Sequence, residues 1–96
     1  MHFTWDERKR LQNIRKHGID FIGVDALFST YTMTLVDSRY PYEEQRFITF
    51  GLLDLRVVTV AHTETSNIIH IISVRKARRH EKEAFFQNSP FQDFPH

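Results

Sequence analysis

The spacing of apolar residues predicts two helices in the first third of the chain. Apolar side chains recur there every three or four positions, which indicates helices at residues 6–17 and 20–29. Thr4, in capping-box spacing with an acid, and Asp6 are alternative N-caps of the first helix, and Gly18 suits its C-terminal end. The second helix carries an apolar stripe that we expect to be buried, formed by Phe21, Val24, Leu27 and Phe28.

Beyond residue 30 the apolar period shortens to two, which predicts β-strands. Alternating and β-branched positions indicate four strands, at residues 31–36, 46–50, 56–63 and 68–74. Gly51 is expected to end the second strand, and residues 2–5 are short and extended. Polar turns join the strands, so we expect an antiparallel sheet. A last helix is predicted at residues 76–87.

These elements predict an α+β fold, in which two N-terminal helices pack on a four-stranded antiparallel sheet and a C-terminal helix follows. The 96 residues are enough for one domain. We expect that domain to span residues 1–87. Residues 88–96 would then form a C-terminal tail, which contains two prolines and two phenylalanines.

Composition narrows the classes of function. The chain has no cysteine, which excludes disulfides, a thiolate zinc site and a thiol nucleophile. Its N-terminus lacks the apolar stretch of a signal peptide, and no apolar run is long enough to span a membrane. We therefore expect a cytoplasmic protein that has no membrane partner.

Charge is distributed unevenly, although the net charge is only +1. Residues 1–18 carry +3, residues 19–74 carry −4 and residues 75–96 carry +2. If the two basic ends meet in space, they form a positive patch that attracts phosphate. The alternative interpretation is that these charges only solvate two helix surfaces, which is common.

The densest basic cluster lies at the predicted junction of the fourth strand and the last helix. It consists of Arg75, Lys76, Arg78 and Arg79. Arg75 and Arg79 are four residues apart, so on a continuous helix their guanidinium groups share one face and can clamp a phosphate. The alternative is that Arg79 pairs with Glu83 and Arg75 with another surface acid.

A second candidate pair lies at the end of the third strand. His62 and Glu64 are two residues apart, so they share a strand face and could act as base and acid. The alternative for His62 is a hydrogen bond to a turn backbone. A hairpin of the third and fourth strands would place Arg75 near Arg56, away from this pair. The six histidines lack metal-site spacing and no glycine-rich phosphate loop is present, so we expect neither a metal nor a cofactor.

Several short motifs in the same order resemble the BrnT family of toxins from bacterial type II toxin–antitoxin modules. The resemblance extends over residues 3–86 and rests on FTWDE at 3–7, NIRKHGI at 13–19, DSR at 37–39, EQRFITFG at 44–51, HTE at 62–64 and IISVRKA at 71–77, with Arg79 and Glu81 after it. It implies a RelE-like ribonuclease fold, metal-free RNA cleavage and arrest of translation. It also implies a cognate antitoxin with a ribbon-helix-helix DNA-binding end, so that promoter DNA is contacted only through the complex.

Metal-free RNA cleavage requires a base for the ribose 2′-hydroxyl and cations that stabilise a phosphorane dianion. We assign the cationic role to Arg75 and Arg79, with Lys76 as a weaker candidate, and the base role to Glu64 or His62. We expect flanking RNA to be held by Arg8, Arg15, Lys16 and Arg78. The alternative function is a non-catalytic or decayed toxin that acts as an antitoxin-binding or co-repressor module.

Overall fold

The computed structural model describes residues 1–90, which fold around one mixed sheet. In chain order the elements are strand β1 His2–Trp5, helix α1 Glu7–His17, a 3₁₀ helix Val24–Ser29, strands β2 Thr32–Asp37, β3 Arg46–Leu53, β4 Arg56–Thr65 and β5 Ile68–Lys76, and helix α2 Arg79–Gln87. The strand order is β1-β5-β4-β3-β2. Strands β2 to β5 form an antiparallel meander, and β1 pairs with β5 in parallel.

The α+β class and the antiparallel meander are confirmed, but the predicted four-stranded sheet is wrong. The extended residues 2–5 add a fifth strand at the sheet edge, in register with residues 68–71. Long-range parallel pairing of this kind leaves no local turn signal in the sequence. Part of the predicted C-terminal tail, residues 91–96, lies outside the described part of the chain.

Helix α1 is capped at its N-terminus by Asp6, one of the two predicted N-caps. The Asp6 carboxylate accepts the backbone N–H groups of Arg8 and Lys9, at 2.8 and 3.2 Å. Thr4, the alternative cap, instead forms a 2.8 Å hydrogen bond with the His70 ring across the β1–β5 pair. Gly18 ends the helix with φ +71°, a conformation that glycine adopts without steric cost.

The predicted second helix is shorter than the sequence suggests and is of the 3₁₀ type. The Asp20 carboxylate accepts the Ile22 backbone N–H at 2.9 Å, and Gly23 follows with φ +98°. This turn holds residues 20–23 out of a helix, so regular structure starts only at Val24. The apolar stripe is nevertheless largely confirmed, since Phe21, Val24 and Leu27 are buried, while Phe28 is only partly buried.

Gly51 does not end its strand, contrary to prediction. Strand β3 continues to Leu53, and Gly51 lies in register with Val58 of β4. A Cβ atom on Gly51 would lie 2.5 Å from Cγ of Leu27. The missing side chain therefore allows the 3₁₀ helix to pack closely on the sheet.

Helix α1 is joined to the sheet by Asn13, a buried polar residue. Its amide donates to the Val74 carbonyl at 2.9 Å, and its side-chain oxygen accepts the Val74 N–H at 3.1 Å. The amide also donates to the Ile19 carbonyl at 2.9 Å. Strand β1 pairs with β5 only as far as Ile71. At Val74 the Asn13 side chain takes the place of that strand and satisfies the hydrogen bonds of the β5 backbone.

Helix α2 starts three residues later than predicted and packs on a second core. Lys76 still belongs to β5, opposite Val58, and α2 begins only at Arg79. Phe85 of α2 is fully buried against Phe50 and neighbouring side chains, whereas the 3₁₀ helix covers a separate core that includes Val60 and Val74. Two small cores result, and α2 is held at the end of the sheet where β5 finishes.

Candidate functional site

A basic groove lies between α2 and the adjoining ends of β4 and β5. It has a volume of about 600 Å³. Its lining includes the cations Arg56, Lys76, Arg79 and Lys82, which we call the groove cations, together with Glu83, Gln87 and an apolar floor that includes Val57 and Phe86. Four positive charges against one carboxylate give this concave surface a net charge of +3, which suits a polyanionic ligand.

Local structure explains why these side chains meet. Residues 79, 82, 83 and 86 have helical i, i+3, i+4 and i+7 spacing, so they occupy one side of α2. Arg56 opens β4 and Lys76 closes β5 at the same end of the β4–β5 hairpin. The groove is therefore built from three elements, of which the strands are fixed by ladder hydrogen bonds.

Arg79 is well placed to receive an anion. Its side chain is 94% exposed and makes a 3.3 Å ion pair with Glu83. An exposed pair of this type contributes only about 0.3–0.5 kcal/mol, so it does not hold Arg79 against a competing phosphate. The predicted Arg79–Glu83 pairing is thus present and weak, and it leaves Arg79 available to a ligand.

Arg75 has a different position from Arg79, and their predicted shared helix face is wrong. Arg75 lies on β5 opposite Thr59 and donates two hydrogen bonds to Glu81, at 2.8 and 2.9 Å. The structure instead brings Lys76 and Arg79 together in the groove. The misplaced helix start explains the error, because residues 75 and 76 still pair as strand.

Glu81 connects Arg75 to the beginning of α2. Its buried carboxylate also accepts the Arg78 backbone N–H at 2.7 Å and the Thr59 hydroxyl at 3.2 Å. Burial alone would raise the pKa of Glu81, but the hydrogen bonds from Arg75 and from the Arg78 backbone lower this pKa to about 2. Arg75 therefore orients the first turn of α2, which carries Arg79.

His62 is a core residue. Its side chain is 0% exposed, its ring stacks on Phe47 and meets Phe28 edge-on, and one ring nitrogen lies 2.7 Å from the Thr49 hydroxyl. Burial lowers the pKa of His62 to about 4. A base for RNA cleavage has to reach a 2′-hydroxyl, and this buried position does not suit that role.

Glu64 shares the predicted strand face with His62 but lies far from the groove. The His62 Nδ1 and Glu64 Oε1 atoms are 3.6 Å apart, longer than a hydrogen bond. Glu64 pairs with Ile69 near the turn of the hairpin, whereas Arg56 opens the same strand at its other end. Arg56 and Glu64 are eight residue steps apart along the strand, which is about 26 Å at 3.3 Å per step. The two predicted catalytic groups therefore do not converge.

The predicted RNA-binding residues lie outside the groove. Arg8, Arg15 and Lys16 are exposed on α1, and Arg78 is exposed just before α2; within residues 1–90 the groove lining includes none of the four. Burial and the positive charges of Lys16 and Arg75 lower the pKa of His17, the last residue of α1. The two basic segments therefore approach each other where α1 meets the end of β5.

Sequence reasoning missed Lys82 and the placement of Glu83, and it gave Lys76 too little weight. The helical spacing of residues 79, 82 and 83 was a usable signal for the first two. The predicted hairpin of the third and fourth strands does place Arg56 near the end of the fourth strand. Among the described residues, no group of three or more histidines and acids is arranged to hold a metal ion.

Comparison with known families shows which family the chain belongs to. A family model described as the ribonuclease toxin BrnT of type II toxin–antitoxin systems matches residues 5–81. The chain belongs to this family. Membership gives it RNA as a target and an antitoxin as a partner.

The matched region covers most of the site. It contains Arg56, Lys76 and Arg79 and ends in the first turn of α2, before Lys82 and Glu83. No curated protein sequence matches the chain. Within residues 1–90, none of the helices is both long and apolar enough to cross a membrane.

Proposed function

We propose that the chain is a metal-independent endoribonuclease that cleaves RNA through the ribose 2′-hydroxyl and thereby inhibits translation in the cytoplasm. The observation that carries this proposal is the groove between α2 and the strand ends, where Arg56, Lys76, Arg79 and Lys82 converge. Membership in a family of ribonuclease toxins supports RNA as the polyanion that fills it.

The groove cations bind the phosphates on either side of the scissile bond. Arg79 is largely in solvent and forks onto two phosphate oxygens, which an ammonium group cannot do. Lys76 projects from the end of β5, where the strand fixes its backbone. Phosphate contacts of this type on a single strand each contribute about −0.7 to the slope of log binding constant against log salt concentration.

The chemistry needs one proton acceptor and one site of anion stabilisation. The 2′-oxygen attacks the adjacent phosphorus and gives its proton to a base, the bond from phosphorus to the 5′-oxygen breaks, and that oxygen takes a proton from water. Arg79 and Lys76 stabilise the dianionic phosphorane. We assign the base to Glu83, the groove carboxylate, because His62 is buried and Glu64 is at the far end of the hairpin.

Arg75 acts in this scheme as a positioning residue. Its two hydrogen bonds to Glu81 fix the start of α2 against β5, and α2 carries both Arg79 and Glu83. Preorganised charge stabilises a transition state because it needs no rearrangement during the reaction. Loss of the Arg75–Glu81 pair would therefore lower activity through geometry rather than through a lost phosphate contact.

We also propose that the antitoxin has a ribbon-helix-helix DNA-binding end, and that the complex contacts promoter DNA through it. Family membership supports an antitoxin partner. The resemblance to BrnT toxins implies a partner of this kind, which neutralises the toxin. The toxin itself then needs no DNA-reading element.

Induction in a bacterial host that lacks the antitoxin tests the proposal. The unmodified chain should arrest growth and degrade RNA, and the Lys76→Ala, Arg79→Ala double variant should allow growth at equal protein levels. Arg8→Ala removes the same charge from the first turn of α1, and since Arg8 is expected to hold only flanking RNA, this variant should weaken RNA binding and still arrest growth. Equal toxicity of the double variant would remove the groove assignment, and loss of toxicity in Arg8→Ala would move RNA binding to α1. A non-toxic unmodified chain would favour the decayed-toxin alternative.

A further inference from the structure

The loop between β2 and β3, residues 38–45, presents an exposed aromatic side chain next to cations. Tyr40 is 64% exposed, and its ring meets the Tyr42 ring edge-on at 5.7 Å. The Arg46 guanidinium lies 4.1 Å over the Tyr42 ring, and the Arg39 guanidinium lies 5.9 Å from the Tyr40 ring. Exposed aromatic rings beside arginine are the surface that proteins use to stack unpaired RNA bases.

This loop is held in place by a buried acid. The side chain of Asp37 is 3% exposed and accepts the backbone N–H and the guanidinium of Arg39, at 2.8–3.2 Å, and the Tyr42 hydroxyl at 3.1 Å. The side-chain hydrogen bond from Arg39 lowers the pKa of Asp37 to about 2, so the anchor is ionised at neutral pH. A loop that is ordered before binding loses little conformational entropy when a ligand stacks on it.

A cavity of about 450 Å³ adjoins the loop and contains both signs of charge. Its polar lining includes the carboxylates of Asp6, Glu43 and Glu44 and the cations Lys9 and Arg46. Three carboxylates oppose binding of a phosphate in the cavity itself. Carboxylate oxygens are, however, good acceptors for the amino groups of adenine, cytosine and guanine.

We propose that Tyr40 and this cavity form a subsite for an unpaired, amino-bearing base of single-stranded RNA. The base stacks on the Tyr40 ring, its amino group faces the carboxylates, and Arg39 and Arg46 lie beside the adjoining backbone. This subsite rests on the proposed function, because that function supplies RNA as the ligand. It extends the RNA contact from the groove to the opposite end of β3, about 23 Å away over the seven steps from Arg46 to Leu53.

Binding of a non-cleavable RNA tests the subsite separately from catalysis. The probe is a fluorescent single-stranded 2′-O-methyl oligonucleotide of roughly 12 nucleotides, within the range that single-strand sites occupy. It has no free 2′-hydroxyl, so fluorescence anisotropy reports binding alone. Tyr40→Ala should weaken binding by roughly 5- to 150-fold, the range for loss of one base–aromatic stack.

Two matched variants make that result specific. Tyr40→Phe keeps the ring and should bind within about twofold of the unmodified chain. Ile68→Ala removes an exposed apolar side chain that lines neither the groove nor this cavity, and it should not change binding. Unchanged binding by Tyr40→Ala would overturn the subsite, and so would equal weakening by Ile68→Ala.

The base composition of the oligonucleotide provides a second test of the subsite. Oligo(A) and oligo(C) should bind more tightly than oligo(U), which has no amino group, and the double substitution Glu43→Gln, Glu44→Gln should reduce that preference. A stronger affinity for oligo(U) would contradict the role of the carboxylates.

If Tyr40 governs binding but the chain does not cleave RNA, the proposed function fails and the subsite stands. If the groove cations govern cleavage while Tyr40→Ala binds normally, only the subsite fails.

Discussion

The guanidinium of Arg75 donates two hydrogen bonds to the carboxylate of Glu81, at 2.8 and 2.9 Å, and thereby joins the end of β5 to the first turn of α2. Arg75 is 23% exposed and Glu81 is 8% exposed, so the pair is largely shielded from water. Arg75 and Arg79 therefore have different environments, although their spacing predicts a shared helix face. Arg79 lies on α2 and is largely exposed to solvent.

Stability measurements distinguish these two arginines. Arg75→Ala should lower the free energy of unfolding by roughly 2–4 kcal/mol, because it leaves the Glu81 carboxylate buried without its main partner. Arg79→Ala, the same substitution four residues later, should change it by less than about 0.5 kcal/mol. Denaturant unfolding of the two variants measures both values. Equal small effects would show that the Arg75–Glu81 pair does not hold α2.

The buried His62 predicts how stability depends on pH. Its pKa is about 4 in the folded chain and 6.5 in the unfolded chain, so between these values only the unfolded chain binds the proton. The free energy of unfolding should therefore fall as the pH drops from 6.5 towards 4, by up to roughly 3 kcal/mol. His62→Gln should flatten this dependence, whereas substitution of the exposed His80 by Gln should not. A flat profile in the unmodified chain would place His62 in contact with water.

Close packing at Gly51 predicts a specific coupling with Leu27. Gly51→Ala should destabilise the fold by roughly 1–3 kcal/mol, because the new methyl group overlaps the buried Leu27 side chain. In the Leu27→Ala background the same change should cost less, since the opposing atoms have been removed. A double-mutant cycle of unfolding free energies measures the difference. Additive effects would mean that the cost of Gly51→Ala does not arise from contact with Leu27.

The position of Glu83 in the groove predicts that its substitution affects RNA binding and RNA cleavage differently. Glu83→Gln removes the negative charge of the groove, so binding of non-cleavable RNA should stay equal or become tighter. Cleavage should fall by about 10²- to 10⁴-fold, the contribution typical of a general base. Glu64→Gln, a change of the same type at the other end of the hairpin, should leave both unchanged. Full cleavage by Glu83→Gln would exclude Glu83 as the base.

The regular elements of the sheet were predictable because their signals are local. Two-residue alternation located β2 to β5, and the short turn predicted at residues 65–67 implied the hairpin that separates His62 from Arg75. Helical spacing identified the buried stripe of the second segment. The 3₁₀ type of this helix was not predictable from the stripe, because the Asp20 turn and Gly23 prevent an α-helix there.

Contacts between distant segments account for most of what was missed. Parallel pairing of β1 with β5 and the bonds from Asn13 to Val74 join residues more than 60 positions apart. Alternation placed His62 on the correct strand face, but depth of burial depends on Phe28 and Phe47, which come from other elements. The start of α2 was misplaced because Lys76 still pairs with β4, which no property of residues 75–79 alone reveals.

The most direct test of the groove as a ribonuclease site is cleavage of labelled RNA by purified protein in the presence of EDTA. The unmodified chain should retain its full rate and leave a 2′,3′-cyclic phosphate on the product. Arg79→Ala should cleave about 10²- to 10³-fold more slowly at unchanged stability, and Arg79→Lys should recover little of the loss. Loss of activity in EDTA that returns with a divalent metal, or full activity of Arg79→Ala, would contradict the account.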